Sequence, residues 1–380
     1  MRVHVVGNGG REAALRAVLG RTAALVDEPD GADLVVIGPE PPLTAGLADE
    51  LRARGLRVFG PGADGARLEG SKAWMKQVLV DAGVPTARHG WFTELDDAVA
   101  FLRDLPGSYV VKTDYLAGGK GVLVTDSLSD AMADAGAKLT KGAILVEERM
   151  TGPELSLLCV CDGKRAVPLA TARDYKRIDT GDVGPMTGGM GAFSPVADID
   201  GEALAKDIVQ PTLDALRERG IDYRGVLYAG LMLTPEGAKV VEFNVRFGDP
   251  EAQVVLPRFS GDLAAFLAEA ADGDLRTEPS FDDSAWVTVV LAAGGYPVEP
   301  YDVGHRIEGM DAAAAMERVV LFEAGVRRDA EGSPLVAGGR VLDVTAHGPT
   351  VAAARERAYA AAERISFPGM QYRTDIAQGA

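Results

Sequence analysis

An α/β protein of several domains is expected, with a small open α/β unit at the N-terminus, a larger mixed core, and a second small α/β unit at the C-terminus. Three observations carry this. A chain of 380 residues is too long for one ordinary core. Apolar runs of strand length alternate with helical stretches from RVHVVGNGGREAALRAVLG onward. From about Ser284 the strand WVTVVLAAGG, the strand GRVLDVTAHG and a helix Thr350–Ile365 form a group that looks separate. The implied ranges are 1–62, 63–283 and 284–380.

In the first unit, strand RVHVV meets a glycine turn (Gly7, Gly9, Gly10) and a helix. Strand ADLVVIGPEPPL, helix Thr44–Arg54 and the short strand RVFGP follow. The turn is either a tight strand-to-helix connection or a place where backbone N–H groups face an anion. It is a poor dinucleotide fingerprint, because Glu12 stands at the third glycine position. The core opens with a helix from about Lys72 to Asp81, stopped by Gly83 and Pro85, and a second helix capped by Thr93. Strands SYVVKTDY and VLVT flank LAGGKG; a helix near Ser129–Lys138, then AILVEERM and ELSLLCVCDG, come next, so residues 108–175 form a small flap unit. Beyond GPMTGGMGAFSP and a long helix Glu202–Arg219, RGVLYAGLMLTP and KVVEFNV pair as antiparallel strands.

Composition excludes several classes. A net charge of -17 argues against nucleic acid as the main partner. No leader and no apolar run of membrane length is read, so a cytoplasmic protein, monomeric or a small homo-oligomer, is expected. Cys159 and Cys161 sit at strand spacing without further Cys or His, and the four histidines are scattered. The chemistry therefore rests on other groups.

Three constellations stand out. In KVVEFNVRFGDPE, strand alternation puts Val241, Phe243 and Val245 on one face and Glu242, Asn244 and Arg246 on the other. That row is either a solvated face or a hard-cation site with oxygen donors. Lys112 ends a β-run before Gly118–Gly121, so Gly119, Lys120 and Gly121 form either an unliganded hairpin or a phosphate-covering flap. No GxxxxGK[ST] loop occurs. Glu147, Glu148 and Glu154 are either a solvated strand end or acceptors for ribose and adenine groups.

In this order the motifs describe the ATP-grasp arrangement. VVGNGGRE, IGPEPPL, LEGSKAWMK, VVKTDYLAGGKGV, GPMTGGMGAFSP, VEFNVRFGDPE and GGRVLDVTAHG together resemble the phosphoribosylamine–glycine ligase family nearly end to end. The resemblance implies an ATP-dependent amide ligase of purine biosynthesis. Glycine's carboxylate would attack the γ-phosphate of ATP, and the amine of 5-phosphoribosylamine would displace phosphate from the glycyl phosphate. It further implies that Glu242 and Asn244 hold Mg²⁺ (or Mn²⁺) and that Lys72 and Lys112 bind the nucleotide. Arg246 would steady the phosphoryl oxygens. Asn8, Gly9, Gly10 and Arg11 would take the sugar phosphate. Asp174 and Lys176 would serve the substrate pocket, with Asp182 and Asp249 near the reacting groups.

The chain departs from the family at several points. Between REAALRAVLG and ADLVVIGPE it has only RTAALVDEPDG, where the family carries a further strand, loop and helix. Ala13 replaces a histidine, Tyr115 a glycine and Met186 an asparagine, and ARDYKR stands where the family reads SQDHKR. A paralogous ligase with another amine acceptor is therefore the alternative. A silent binding protein is disfavoured by the intact Glu242 and Asn244, and a nicotinamide dehydrogenase by Glu12.

Overall fold

A computed structural model of the chain describes residues 1–114 and 121–380. Tyr115, Gly119 and Lys120 lie outside the described residues. The N-terminal sheet is parallel, in the order Ala24–Leu25, Arg2–Val6, Leu34–Ile37, Val58–Phe59. Leu34–Ile37 is buried throughout, as a strand covered on both faces should be. The short segment after the first helix (Gly10–Leu19) supplies only the two-residue edge strand. The expected helix Thr44–Arg54 is two helices, Glu40–Thr44 and Leu47–Ala53, parted at Gly46 with φ 89°. That left-handed residue is tolerated because glycine has no Cβ.

The helix Lys72–Asp81 has the expected bounds, with Ser71 as N-cap accepting the Trp74 N–H at 3.2 Å. Glu94, not Thr93, occupies the N-cap position of the helix Leu95–Asp104, without a side-chain capping bond. The flap sheet is antiparallel, ordered His89–Phe92, Ile144–Glu148, Tyr109–Thr113, Val122–Thr125. Helices Leu95–Asp104 and Leu128–Leu139 contribute to its separate apolar core. The expected flap range 108–175 is thus corrected at both ends. The edge strand His89–Phe92 precedes it, and Glu154–Asp162 belongs to the next sheet because it pairs with Arg224–Thr234.

That central sheet runs Ala166–Pro168, Glu154–Asp162, Arg224–Thr234, Gly237–Asn244. The expected antiparallel pair is present, but with a bulge: Gly230 faces Glu242 while Leu231 faces Val240, leaving Val241 unpaired. A bulge shifts the side-chain alternation by one residue. Val240 consequently joins Phe243 and Val245 in the core, and Val241 turns to a cleft.

The C-terminal segment shares its sheet and its apolar core with the central region. Its five-stranded antiparallel sheet is ordered Arg173–Asp174, Gly191–Ser194, Ala285–Ala292, Arg340–Gly348, Val319–Glu323, so two strands come from the core region. The apolar core formed by Val287, Val289 and Leu291 is continuous with that around Leu227 and Phe243. The helix Val351–Ala362, capped by Thr350, contributes Ala354, Ala358, Ala361 and Ala362 to it.

Candidate active site

Two clefts open between these sheets, of about 1210 Å³ and about 660 Å³. They meet at Val122, Asp174, Lys176, Met186 and Glu242. The larger lies between the flap sheet and the central sheet; the smaller faces the N-terminal loop and the C-terminal segment.

On the larger side, Lys112 lies inside the strand Tyr109–Thr113, 6 % exposed, with its Nζ 2.5 Å from Glu147. Lys76, on the helix Lys72–Asp81, reaches the other oxygen of Glu147 at 2.5 Å. Burial pushes the Glu147 carboxyl up, but Lys112 and Lys76 outweigh it and bring it to about 2. This corrects the role of Glu147: both of its oxygens face ammonium groups, so it fixes Lys112 instead of meeting sugar hydroxyls. Lys76 was not singled out by sequence. Glu148 is at the cleft edge, accepting the Arg88 N–H at 3.0 Å. Together with Arg149 and Met150 it lines the passage between the two sheets.

Where the clefts meet, Glu242 lines both, and Asn244 and Lys72 line the smaller. Glu242 makes no hydrogen bond or ion pair to another side chain among the described residues, although Lys72 lies near enough for its charge to be felt. Asn244 Oδ1 accepts from Arg246 Nη2 at 3.0 Å, which settles which end of the amide is oxygen. Two oxygen donors facing one cleft, a carboxylate and a carboxamide, suit a hard divalent cation that completes its shell with phosphate and water. Among the described residues no cluster of three His, Cys, Asp or Glu side chains offers another metal site.

Arg246 lines the same cleft as Glu242 and Asn244. Its guanidinium is engaged by Glu69 at 3.0 Å, the Phe247 carbonyl at 3.2 Å, Asn244, and Glu40 at 3.4 Å. Burial lowers its basicity, but Glu69 and Glu40 more than restore it, so it stays charged. With these partners Arg246 orients Asn244, and it lines the smaller cleft beside Glu242. Sequence reading missed Glu40 and Glu69.

On the smaller side, Gly9, Gly10 and Arg11 line the cleft; Asn8 is exposed and its side chain accepts from Arg16 at 3.3 Å. Glu12 explains why the glycine fingerprint fails. Its carboxylate accepts the Gly9 N–H at 2.6 Å and pairs with Arg11 Nε at 2.6 Å. It is the back-reaching acid of a helix N-terminus, and it takes one donor that an incoming anion would use. Asp249 is half-buried, held by Arg340 at 3.0 Å and Gln253 at 2.8 Å. Burial raises its carboxyl, but Arg340 and Arg11 prevail and keep it ionised. Arg340 also donates to the carbonyls of Gly188 at 2.8 Å and Asp249 at 2.7 Å, so it joins two glycine-containing motifs.

Gly10 is required by contact. A Cβ there would lie 2.0 Å from Asp343 Oδ2 and 2.8 Å from Gln253 Nε2. Gly10→Ala is expected to cost about 1–3 kcal/mol by forced repacking, read as a lower urea midpoint. Adding Asp343→Ala to that variant should recover part of the loss; no recovery would show that the approach is not the cause.

Lys176 holds the junction, donating to Glu154 at 2.6 Å and to Asp174 at 3.0 Å. Burial, Glu251 and Glu154 raise the Asp174 carboxyl to about 7 against the pull of Lys176. Glu154 lines the larger cleft, as expected, and there it pairs with Lys176, which holds its carboxyl low. Glu251, also missed, lies under the junction, accepting from Tyr228 at 2.6 Å and Ser156 at 3.1 Å. Asp182 does not join the reacting groups: it sits on an exposed turn with its side chain 70 % accessible, paired with Arg373 at 3.1 Å. Met186 lines both clefts, Gly121 the smaller, and Ala13 packs on the N-terminal core.

Residues 21–69, 70–252 and 286–379 match the N, ATP-grasp (A) and C domains of phosphoribosylglycinamide synthetase, respectively. The chain is 48 % identical to the phosphoribosylamine–glycine ligase of Leifsonia xyli over 355 residues, covering 92 % of this chain and 85 % of that one. Against the enzyme of the same name from Streptomyces coelicolor the identity is 48 %, over 96 % and 86 % of the two chains. The crystal structure of phosphoribosylamine–glycine ligase from Thermotoga maritima superposes with a TM-score of 0.86 at 32 % identity, covering 99 % of this chain and 100 % of that one. The chain belongs to the phosphoribosylglycinamide synthetase family.

Proposed function

We propose that the chain is an ADP-forming ligase that joins glycine to 5-phosphoribosylamine with ATP, giving glycinamide ribonucleotide, ADP and phosphate, in the cytoplasmic synthesis of purines. The observation that carries this is the junction of two clefts at Glu242. One side presents the Glu147-held Lys112 and the Glu148–Met150 passage, suited to a nucleotide; the other presents Gly9–Arg11 and a half-buried Asp249–Arg340 pair. The names of its relatives favour the same reaction over a different amine acceptor.

Glycine's carboxylate and the terminal phosphate are both anions, so their approach needs positive charge at the junction. Lys72, Lys112 and Lys176 supply it from three elements. Glu242 and Asn244 would hold Mg²⁺ or Mn²⁺, which when bound neutralises charge on the transferred phosphoryl group. Lys176, fixed between Asp174 and Glu154, marks the boundary across which the activated carboxyl meets the amine.

ADP release is expected to require Mg·ATP, glycine and freshly generated phosphoribosylamine together. Release that depends on glycine but ignores phosphoribosylamine, and responds to another amine, would transfer the chain to a different acceptor. Release with neither would remove the ligase reading.

A further inference from the structure

We infer that Arg373 is a positioning residue for nucleotide binding. It acts through a strap, Gln371–Gln378, that holds the hairpin Arg177–Met186 as one wall of the larger cleft. The inference rests on the nucleotide occupying that cleft. The wall is built from Arg177, Asp182, Val183, Gly184 and Met186, and Glu148–Gly152 line the same cleft.

The hairpin consists of two short strands, Arg177–Asp179 and Val183–Met186, joined by an exposed turn. Among the described residues, Thr180–Gly184 makes hydrogen bonds outside its own hairpin only to the strap. Gly181 N–H donates to Asp375 Oδ2 at 2.9 Å, and Thr374 N–H donates to Thr180 Oγ1 at 3.1 Å. Arg373 lies at the centre, its side chain 1 % exposed. Its Nε and Nη2 donate to the two oxygens of Asp375 at 2.8 and 2.7 Å. Its Nη1 donates to the Arg177 carbonyl and to Asp182 Oδ1, both at 3.1 Å. One planar fork thus grips the strap, the first hairpin strand and the turn together, a geometry that lysine cannot reproduce.

The strap is anchored at its other side. Arg355, on the helix Val351–Ala362, donates to the carbonyls of Ile376 and Thr374 at 2.9 and 2.7 Å. Tyr359 donates to the Arg373 carbonyl at 2.8 Å and accepts from Ile376 N–H at 3.0 Å. Tyr175 completes the clamp: its hydroxyl accepts the Ala377 N–H at 2.9 Å, and its ring lies 5.0 Å beneath the Arg373 guanidinium. Tyr175 is the ring of the ARDYKR stretch, so this departure in sequence has a structural task. The strap transmits the position of a C-terminal helix to the nucleotide wall.

Three variants test this: Arg373→Gln, Asp182→Asn on the exposed turn, and Tyr175→Phe, which keeps the ring and loses only the hydroxyl. For Arg373→Gln, KM for Mg·ATP should rise about tenfold with KM for glycine within about twofold, a split that general loss of folded protein does not produce. Asp182→Asn and Tyr175→Phe should shift the ATP value in the same direction by smaller factors. The double variant Arg373→Gln/Asp182→Asn should change less than the product of the two. Calorimetric titration of Mg·ATP supplies the direct control. Wild-type protein that binds no ATP would defeat the functional reading. Wild-type binding with unchanged affinity in all three variants, or equal rises for ATP and glycine, would overturn the role of Arg373.

Discussion

Replacing Glu242 with Gln is expected to lower kcat by about 10³-fold, the scale seen when a preorganised charge that stabilises a transition state is removed. The substitution conserves volume and leaves the Asn244–Arg246 contact in place. Glu242 makes no hydrogen bond or ion pair to another side chain among the described residues, so the thermal midpoint should stay put. The Mg²⁺ concentration giving half-maximal rate should also rise, since one of two protein oxygen donors has lost its charge. Measurement of ADP release against Mg²⁺ and of the melting curve separates the outcomes. Turnover close to wild type would remove the cation from this position and with it the mechanism.

The second large effect is on stability. Glu147→Gln leaves Lys76 and Lys112 buried without their shared counter-charge, and breaking such a cluster costs about 3–5 kcal/mol. The acid side carries the same information. Burial raises the Glu147 carboxyl, yet the two lysines hold it at about 2, below the ordinary glutamate value of 4.5. A depressed carboxyl contributes stability that is complete above pH 4.5 and is lost as pH falls from there toward 2. The whole contribution is about 3 kcal/mol, using 1.36 kcal/mol per unit. Urea midpoints at pH 7 and pH 3 should therefore converge in Glu147→Gln relative to wild type. The variant should also bind Mg·ATP more weakly, because Lys112 loses the group that orients it. An unchanged midpoint at pH 7 would mean that the two lysines are solvated, contrary to their burial.

Much of this was legible because it was local. The bounds of the helix Lys72–Asp81 follow from Ser71 and Gly83, and the pairing of Arg224–Thr234 with Gly237–Asn244 follows from two adjacent apolar runs with a tight turn. Glu242 and Asn244 were recoverable because residues two apart in a strand share a face. The bulge at Val241 was not, since it depends on the partner strand; its signal was Gly230 opposite Glu242. Pairings across long separations were equally hidden. Nothing near Glu147 in sequence announces Lys76, so an acid read as a ligand acceptor is a counter-ion, and nothing near Arg246 announces Glu40 or Glu69. Asp182 lay in a suggestive motif, but its partner Arg373 is remote in the chain.

The five-stranded sheet that draws Arg173–Asp174 and Gly191–Ser194 together with Ala285–Ala292 has a consequence for biogenesis. While the polypeptide is still emerging from the ribosome, the Gly191–Ser194 ribbon has an unsatisfied edge until the far later Ala285–Ala292 ribbon arrives. Such open edges invite association with other nascent chains. A product truncated by premature termination before Ala285 would accordingly be a substrate for chaperones and proteases, not a small working enzyme.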